Sequence, residues 1–299
     1  MQFMYQYPEA IGTDCDLLEA GPVDEVARTA EAAGWMGFAF TEHPAPGARW
    51  LDSGGHQTLD PFVALGYAAA VTTRVRLLTY LAVAPYRNPF LLAKAAATVD
   101  KLSGGRFVLG MGTGYLKSEF HALGVDFQER NAAFDEVLDA LPLHWSGQPF
   151  SYQGRHFEAR DVVALPRPVQ DPIPIWIGGN ARVTRQRVVE RAQGWMPLLG
   201  PPGVTQTART PELGGLDELA ATIAEMRDAA SARGEAIDVL YPYLDPAVTS
   251  SGDDADRHRS AFAELEQAGI TWVMVPGTTN TRGATLEFLE AFGALYLAS

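Results

Sequence analysis

The sequence predicts an α/β protein, a (β/α)8 TIM barrel with a small hairpin insertion and a long loop at its C-terminal face. Three observations predict it. Short apolar runs alternate with amphipathic stretches along the whole chain, the pattern of a parallel sheet covered by helices. The alternation counts to eight strands, each followed by a helix or helix-containing segment. The chain's 299 residues suit one barrel domain over 1–299, a normal length for that fold. An open doubly wound sheet is the competing architecture, and no stretch reads as an interdomain linker.

Met1 to Tyr7 reads as the first strand, and Pro22 to Ala33 as its helix, with Pro22 in the first turn and Gly34 at the end. Trp35 to Thr41 and Pro61 to Val71 form the second pair. Val75 to Ala82 and Pro89 to Leu102 form the third, with Asn88 as a cap and Pro89 at the first helical position. Arg106 to Gly112 precedes a long helix, Phe127 to Trp145. Between Pro149 and Val163 the aromatic residues, the Gln-Gly turn and a period of two predict an inserted hairpin. Strand Pro174 to Gly178, helix Ala181 to Gln193 and strand Trp195 to Leu198 resume the alternation. Leu198 to Gly215, rich in Gly, Pro and Thr, predicts a long functional loop. Helix Leu216 to Arg233, strand Ile237 to Tyr243, helix Asp256 to Ala268, strand Ile270 to Val275 and helix Thr285 to Leu297 complete the count.

Composition narrows the partners. A formal charge of -13 repels polyanions, which excludes nucleic acid and anionic membranes as expected partners. It also means that a phosphorylated ligand must be captured by local donors. The single cysteine, Cys15, rules out an intrachain disulfide and suits a reducing cytoplasm. MQFMYQYPEA has no basic n-region and no long apolar stretch, so it does not read as a signal peptide. No run is apolar enough for a transmembrane helix. A cytoplasmic protein acting on a small molecule is the expectation.

In a barrel the chemistry sits where strands end and the next loop begins. Strand two ends at Thr41-Glu42-His43-Pro44, and His43 is suited to proton transfer near neutral pH. Strand three ends at Thr79-Tyr80-Leu81, which serve equally well as strand residues. Strand four ends at Gly110-Met111-Gly112-Thr113-Gly114-Tyr115. Its glycines either admit a ligand to the backbone or pack the barrel. The third comes one residue early for a dinucleotide fingerprint. Strand five ends at Gly178-Gly179-Asn180, ahead of a helix carrying Arg182 and Arg185. This is either an anion site at a helix N-terminus or a capped turn. The Gly104-Gly105 turn faces the other rim and reads as structural. Scattered histidines, without H-E-x-x-H or a zinc spacing, predict no metal site.

The succession GWMGFAFTEH, RVRLLTYLAVAPYRNPFLLAKAAATVDKLSGGRFVLGMGTGYLKSEFHALGVDFQER, PIPIWIGGN and RAQGWMP resembles the luciferase-like monooxygenase superfamily. The TARTPEL segment resembles its branch that uses the deazaflavin coenzyme F420. The resemblance implies a tricyclic ring across the barrel mouth, with His43 at its reactive edge as the catalytic residue. It places a non-prolyl cis peptide at Tyr80-Leu81, beside Thr79. It further implies cofactor contacts at Thr113, Gly114 and Tyr115, and a phosphate turn at Gly178, Gly179 and Asn180. Tyr115 stands where sugar-phosphate dehydrogenases of the family carry a glutamate, which argues against that substrate. Pro44 stands where many members carry a histidine or an aromatic.

Hydride transfer between coenzyme F420 and a small organic substrate is the function implied. An FMN-dependent two-component monooxygenase, fed by a separate reductase, and a non-catalytic flavin-binding barrel are the alternatives. A homodimer is the family's usual state. Trp50, Tyr86 and Tyr115, with the loop and the hairpin as walls, suggest an apolar or ring-containing substrate.

Overall fold

A computed structural model describes residues 1–200, 203–249, 254–279 and 281–298. Eight strands follow one another round a ring: β1 (Gln2–Gln6), β2 (Gly37–Phe40), β3 (Arg76–Thr79), β4 (Phe107–Gly112), β5 (Ile175–Gly178), β6 (Gly194–Met196), β7 (Asp238–Pro242) and β8 (Trp272–Pro276). Each pairs in parallel with the next, and β8 pairs with β1, so the sheet closes. The doubly wound alternative is thereby excluded. Outside the ring lie α1 (Val23–Ala32), α2 (Pro61–Val71), α3 (Pro89–Ser103), α4 (Arg130–Trp145), α5 (Arg182–Arg191), α6 (Gly215–Ala230), α7 (Ala255–Gln267) and α8 (Arg282–Phe292).

Local signals account for several boundaries. Asp60 Oδ1 accepts from the N–H groups of Phe62 and Val63 ahead of Pro61, and Asn88 Oδ1 accepts from Phe90 N ahead of Pro89. Gly104, at φ 69°, ends α3 in the left-handed conformation as the Gly-Gly turn predicts. Inside the barrel, Met4, Leu78, Val108, Trp176, Met196, Leu240, Trp272 and Met274 form one buried layer. The Trp176 and Trp272 rings meet edge-on at 5.8 Å. Gly194 makes room for Trp176, since a Cβ there would lie 2.3 Å from Trp176 Cδ1.

The structure departs from the sequence reading in three places. Val75 to Ala82 is not one strand: β3 ends at Thr79, the Tyr80–Leu81 peptide is cis, and Ala82–Val83 then pairs with β4. Apolar periodicity continues through the break and hides it. The hairpin exists, as Phe150–Gln153 against Glu158–Val162, but it does not wall the substrate space. It packs on α3 and α4, through Phe90 against Phe150 and through Glu136, which accepts from the N–H groups of His156 and Phe157. The long loop carries a one-turn helix, Val204–Thr207, while its residues 201–202 lie outside the described residues.

Candidate active site

The strand ends surround a cleft of about 700 Å³. Its floor is Leu81, seated between β4 and β5. A Cβ on Gly112 would lie 2.6 Å from Leu81 Cδ1, and one on Gly178 would lie 2.3 Å from Cδ2. These glycines admit the Leu81 side chain between the two strands, and both also line the cleft. Gly114, at φ 76°, turns the chain off β4 against Val83 and Phe120.

His43 stands at the end of β2. Thr58 Oγ1 accepts from its backbone N–H at 2.9 Å, and its Nδ1 lies 3.3 Å from Glu119 Oε2. Glu119, 1% exposed, also accepts from Tyr86 OH at 2.8 Å and from Ala45 N at 3.3 Å. A carboxylate accepting at Nδ1 favours the Nδ1–H tautomer and leaves Nε2 for proton exchange. The ring lies against Trp50 at 4.6 Å and Tyr115 at 6.2 Å, so apolar surface dries the site around it. Burial, followed by the charges of Glu119 and Glu9, raises the Tyr115 phenol well above its usual range. Tyr115 is therefore a neutral hydroxyl at any working pH.

One ion pair and one histidine–carboxyl contact stand on this rim. Glu42, buried behind the His43 loop, takes Val83 N at 2.7 Å and both guanidinium arms of Arg87. A second histidine, His56, pairs its Nε2 with Glu9 Oε1 at 3.1 Å. The short ribbon joining Ala10–Ile11 to His56–Gln57 brings them together.

Across the mouth, over β4 to β6, the cleft is cationic. Arg130 and Arg209 both lie over the Phe127 ring, at 4.0 and 5.4 Å from its centroid. Burial, and then the charge of Arg209, lowers the affinity of Arg130 for its proton. Two like charges brought together in this way favour an anion between them. Beside them the first turn of α5 opens on the cleft through Ala181, Val183 and Thr184, with no side-chain cap.

Of the residues the sequence proposes, His43, Tyr80, Leu81, Thr113, Gly114, Tyr115, Gly178 and Gly179 line this one cleft. Thr79 does not: it is fully buried, and its hydroxyl donates to Gly110 O at 2.8 Å, tying β3 to β4. Asn180 does not line it either. Its amide donates to the carbonyls of Leu198 and Pro211 and accepts from Leu198 N, anchoring the long loop to the β5 turn. Arg182 and Arg185 also stand outside the lining, and Arg130 and Arg209 supply the cations instead. Trp50 lines the cleft, whereas Tyr86 lies behind it, on Glu119. Sequence reading missed Glu9, His56, Glu119, Arg130 and Arg209. The Glu in Tyr7-Pro8-Glu9, just past β1, was the available signal for the first; Glu119 and Arg130 sit in helices, Arg209 in a turn and His56 in a two-residue ribbon strand.

A family model described as luciferase-like monooxygenase matches residues 1–294. The chain belongs to the luciferase-like monooxygenase family. An uncharacterized protein of Mycobacterium tuberculosis is 35% identical over 183 residues, which is 57% of this chain and 65% of that protein. The chain thus spans 65% of the length of that relative. An FMNH(2)-dependent dimethylsulfone monooxygenase of Pseudomonas putida is 25% identical over 89% of this chain and 69% of its own. Among solved structures, an F420-dependent secondary alcohol dehydrogenase in complex with an F420-acetone adduct superposes with a TM-score of 0.72 at 16% identity. That match covers 99% of this chain and 98% of the other, and the likeness is one of fold. Among the described residues, no helix is long and apolar enough to cross a membrane, and no group of three or more His, Cys, Asp or Glu could hold a metal ion.

Proposed function

We propose that this chain is an oxidoreductase that transfers a hydride between the deazaflavin coenzyme F420 and a small organic substrate. The observation that carries the reading is His43, fixed by the buried Glu119 and facing a cleft whose far side holds Arg130 and Arg209. The residues present fit such a cofactor. Leu81 offers an apolar platform for a flat ring, and the arginine pair with the open turn of α5 would hold a phosphate. When bound, the cofactor supplies or accepts the hydride.

The chain's own residues handle binding and the proton. Trp50 and Tyr115 exclude water from His43. His43 gives a proton from Nε2 to the substrate oxygen in the reducing direction and takes it back in the other. Glu119 stabilises the imidazolium that forms in the second case, and Tyr86 with Ala45 N holds Glu119 in place.

A second reading, an FMN-dependent monooxygenase served by a separate reductase, is favoured by the similarity to the Pseudomonas putida enzyme over 89% of this chain. Titration of the purified protein with coenzyme F420 and with FMN, followed by fluorescence, tests both. Selective binding of F420, micromolar or tighter, is expected. Arg130→Ala is expected to weaken it by about 10- to 100-fold, the worth of one charge-assisted hydrogen bond. Preference for FMN, with oxygen uptake when reduced FMN is supplied, moves the assignment to the monooxygenase. Binding of neither overturns both.

A further inference from the structure

The cleft contains a carboxyl–imidazole pair that hydride transfer through His43 leaves unused. Glu9 and His56 both line it. Oε1 of Glu9 accepts from Gln6 Nε2 at 3.0 Å and lies 3.1 Å from His56 Nε2. Burial, followed by the charge of His43, lowers the His56 pKa to about 3, so the imidazole is neutral; its ring lies 4.8 Å from His43 and 5.1 Å from Trp50. The pair therefore abuts the histidine that carries the proton. Burial raises the Glu9 pKa above the ordinary carboxylate value, against smaller lowering effects from Thr41 and His43.

Charge divides the cleft. Among its described lining residues, the arginines Arg130 and Arg209 are the cations, and both lie over the arc from β4 to β6. The arc from β1 to β3 carries Glu9, Glu42, His43 and His56, and the charge of Glu42 is matched by Arg87. An anionic substrate on that arc would meet a carboxyl group and no free counter-charge, so its desolvation would go uncompensated. An uncharged molecule with an oxygen acceptor would meet hydrogen-bond donors and the faces of Trp50 and Tyr115.

We infer that Glu9, held by Gln6 and standing beside His56, is a substrate-binding residue that fits the β1–β3 half of the cleft to uncharged ring compounds bearing a ketone or hydroxyl oxygen and turns carboxylates and phosphates away. The inference rests on the proposed function in one respect: the cofactor takes the arginine half.

Acetophenone and 4-acetylbenzoate share a ring and a ketone and differ by one carboxylate, so their dissociation constants, read by ligand-observed NMR with F420 present, test it. The wild-type protein is expected to bind acetophenone at least about tenfold more tightly, because the carboxylate is desolvated without a partner. Glu9→Ala is expected to weaken acetophenone about fivefold, the loss of one hydrogen bond, and to narrow the ratio. Glu9→Gln, which presents an uncharged N–H donor, is expected to retain acetophenone binding, and both variants to retain the wild-type affinity for F420. Equal binding of the two probes to the wild type overturns the inference, as does binding of neither, or an unchanged ratio in Glu9→Ala. Should Glu9→Ala not fold, the wild-type ratio and Glu9→Gln still decide. A protein that binds neither F420 nor FMN yet discriminates the probes sinks the proposed function and leaves the role of Glu9 standing.

Discussion

At the N-terminal rim, the guanidinium of Arg106 donates to the carbonyls of Ser103, Val75, Ala69 and Thr72 and to the Thr72 hydroxyl. Asp100, fully buried, accepts from the N–H groups of Val169 and Gln170 and from the Gln170 amide. Glu31 accepts from the N–H groups of Thr73, Arg74 and Val75. At the C-terminal rim, Arg130 and Arg209 stand against the Phe127 ring instead of a carboxylate, and His43 and Glu9 each line the open cleft. The same residue types do different work. Where a charged group is met by several groups of the chain itself, the charge closes loops and adds stability. Where hydrogen-bonding capacity is left over in a cleft, it is available to a ligand.

Substitutions on the two rims can break that contrast. The largest effect is expected for His43→Ala, which should slow turnover with an identified substrate by about 10²–10⁴-fold, the range for a positioned proton carrier. Its denaturation midpoint should stay close to the wild type's. Unchanged turnover in a folded protein would remove His43 from the chemistry. Arg106→Ala should do the reverse. Unmade bonds at buried carbonyls should cost about 3 kcal/mol or more by urea denaturation, with turnover per folded molecule preserved. Lost activity at full stability would show that the N-terminal rim also serves function.

The smallest effect sharpens the comparison through pH. Burial alone would raise the Glu31 pKa, but its backbone and Thr73 hydrogen bonds outweigh that and lower it below the ordinary 4.5. A carboxylate depressed on folding adds stability that is present above pH 4.5 and is lost as pH falls through the folded value. Glu31→Gln should cost about 1 kcal/mol at neutral pH and flatten that part of the acid limb. An acid limb identical to the wild type's would deny Glu31 its share of this rim.

Much of the barrel was legible because its signals are local. Pro61 to Val71 was read to the residue, since Asp60 caps it and Pro61 opens it. His43 was legible because it ends a recognisable strand. Glu119 was not, since it sits in the short helix Lys117–Ala122 at a position that suits any solvated glutamate. The hairpin was seen, but the face it packs on was invisible, because a period of two reports a strand and says nothing of its neighbours.

The sequence by itself determined the order of strands and helices, the caps that start several helices and the strand ends where chemistry collects. Those depend on near neighbours in the chain and on periodicity, and both are present in one dimension. Only the tertiary structure decided that Leu81 occupies the space left by Gly112 and Gly178, and that Glu119 reaches His43 from 76 residues away. It alone decided that Arg130 meets Arg209 over Phe127, while Asn180 is consumed in holding a loop. Each of these is a contact between segments far apart in the chain, and whether a polar group is satisfied or left for a ligand is a property of the closed barrel.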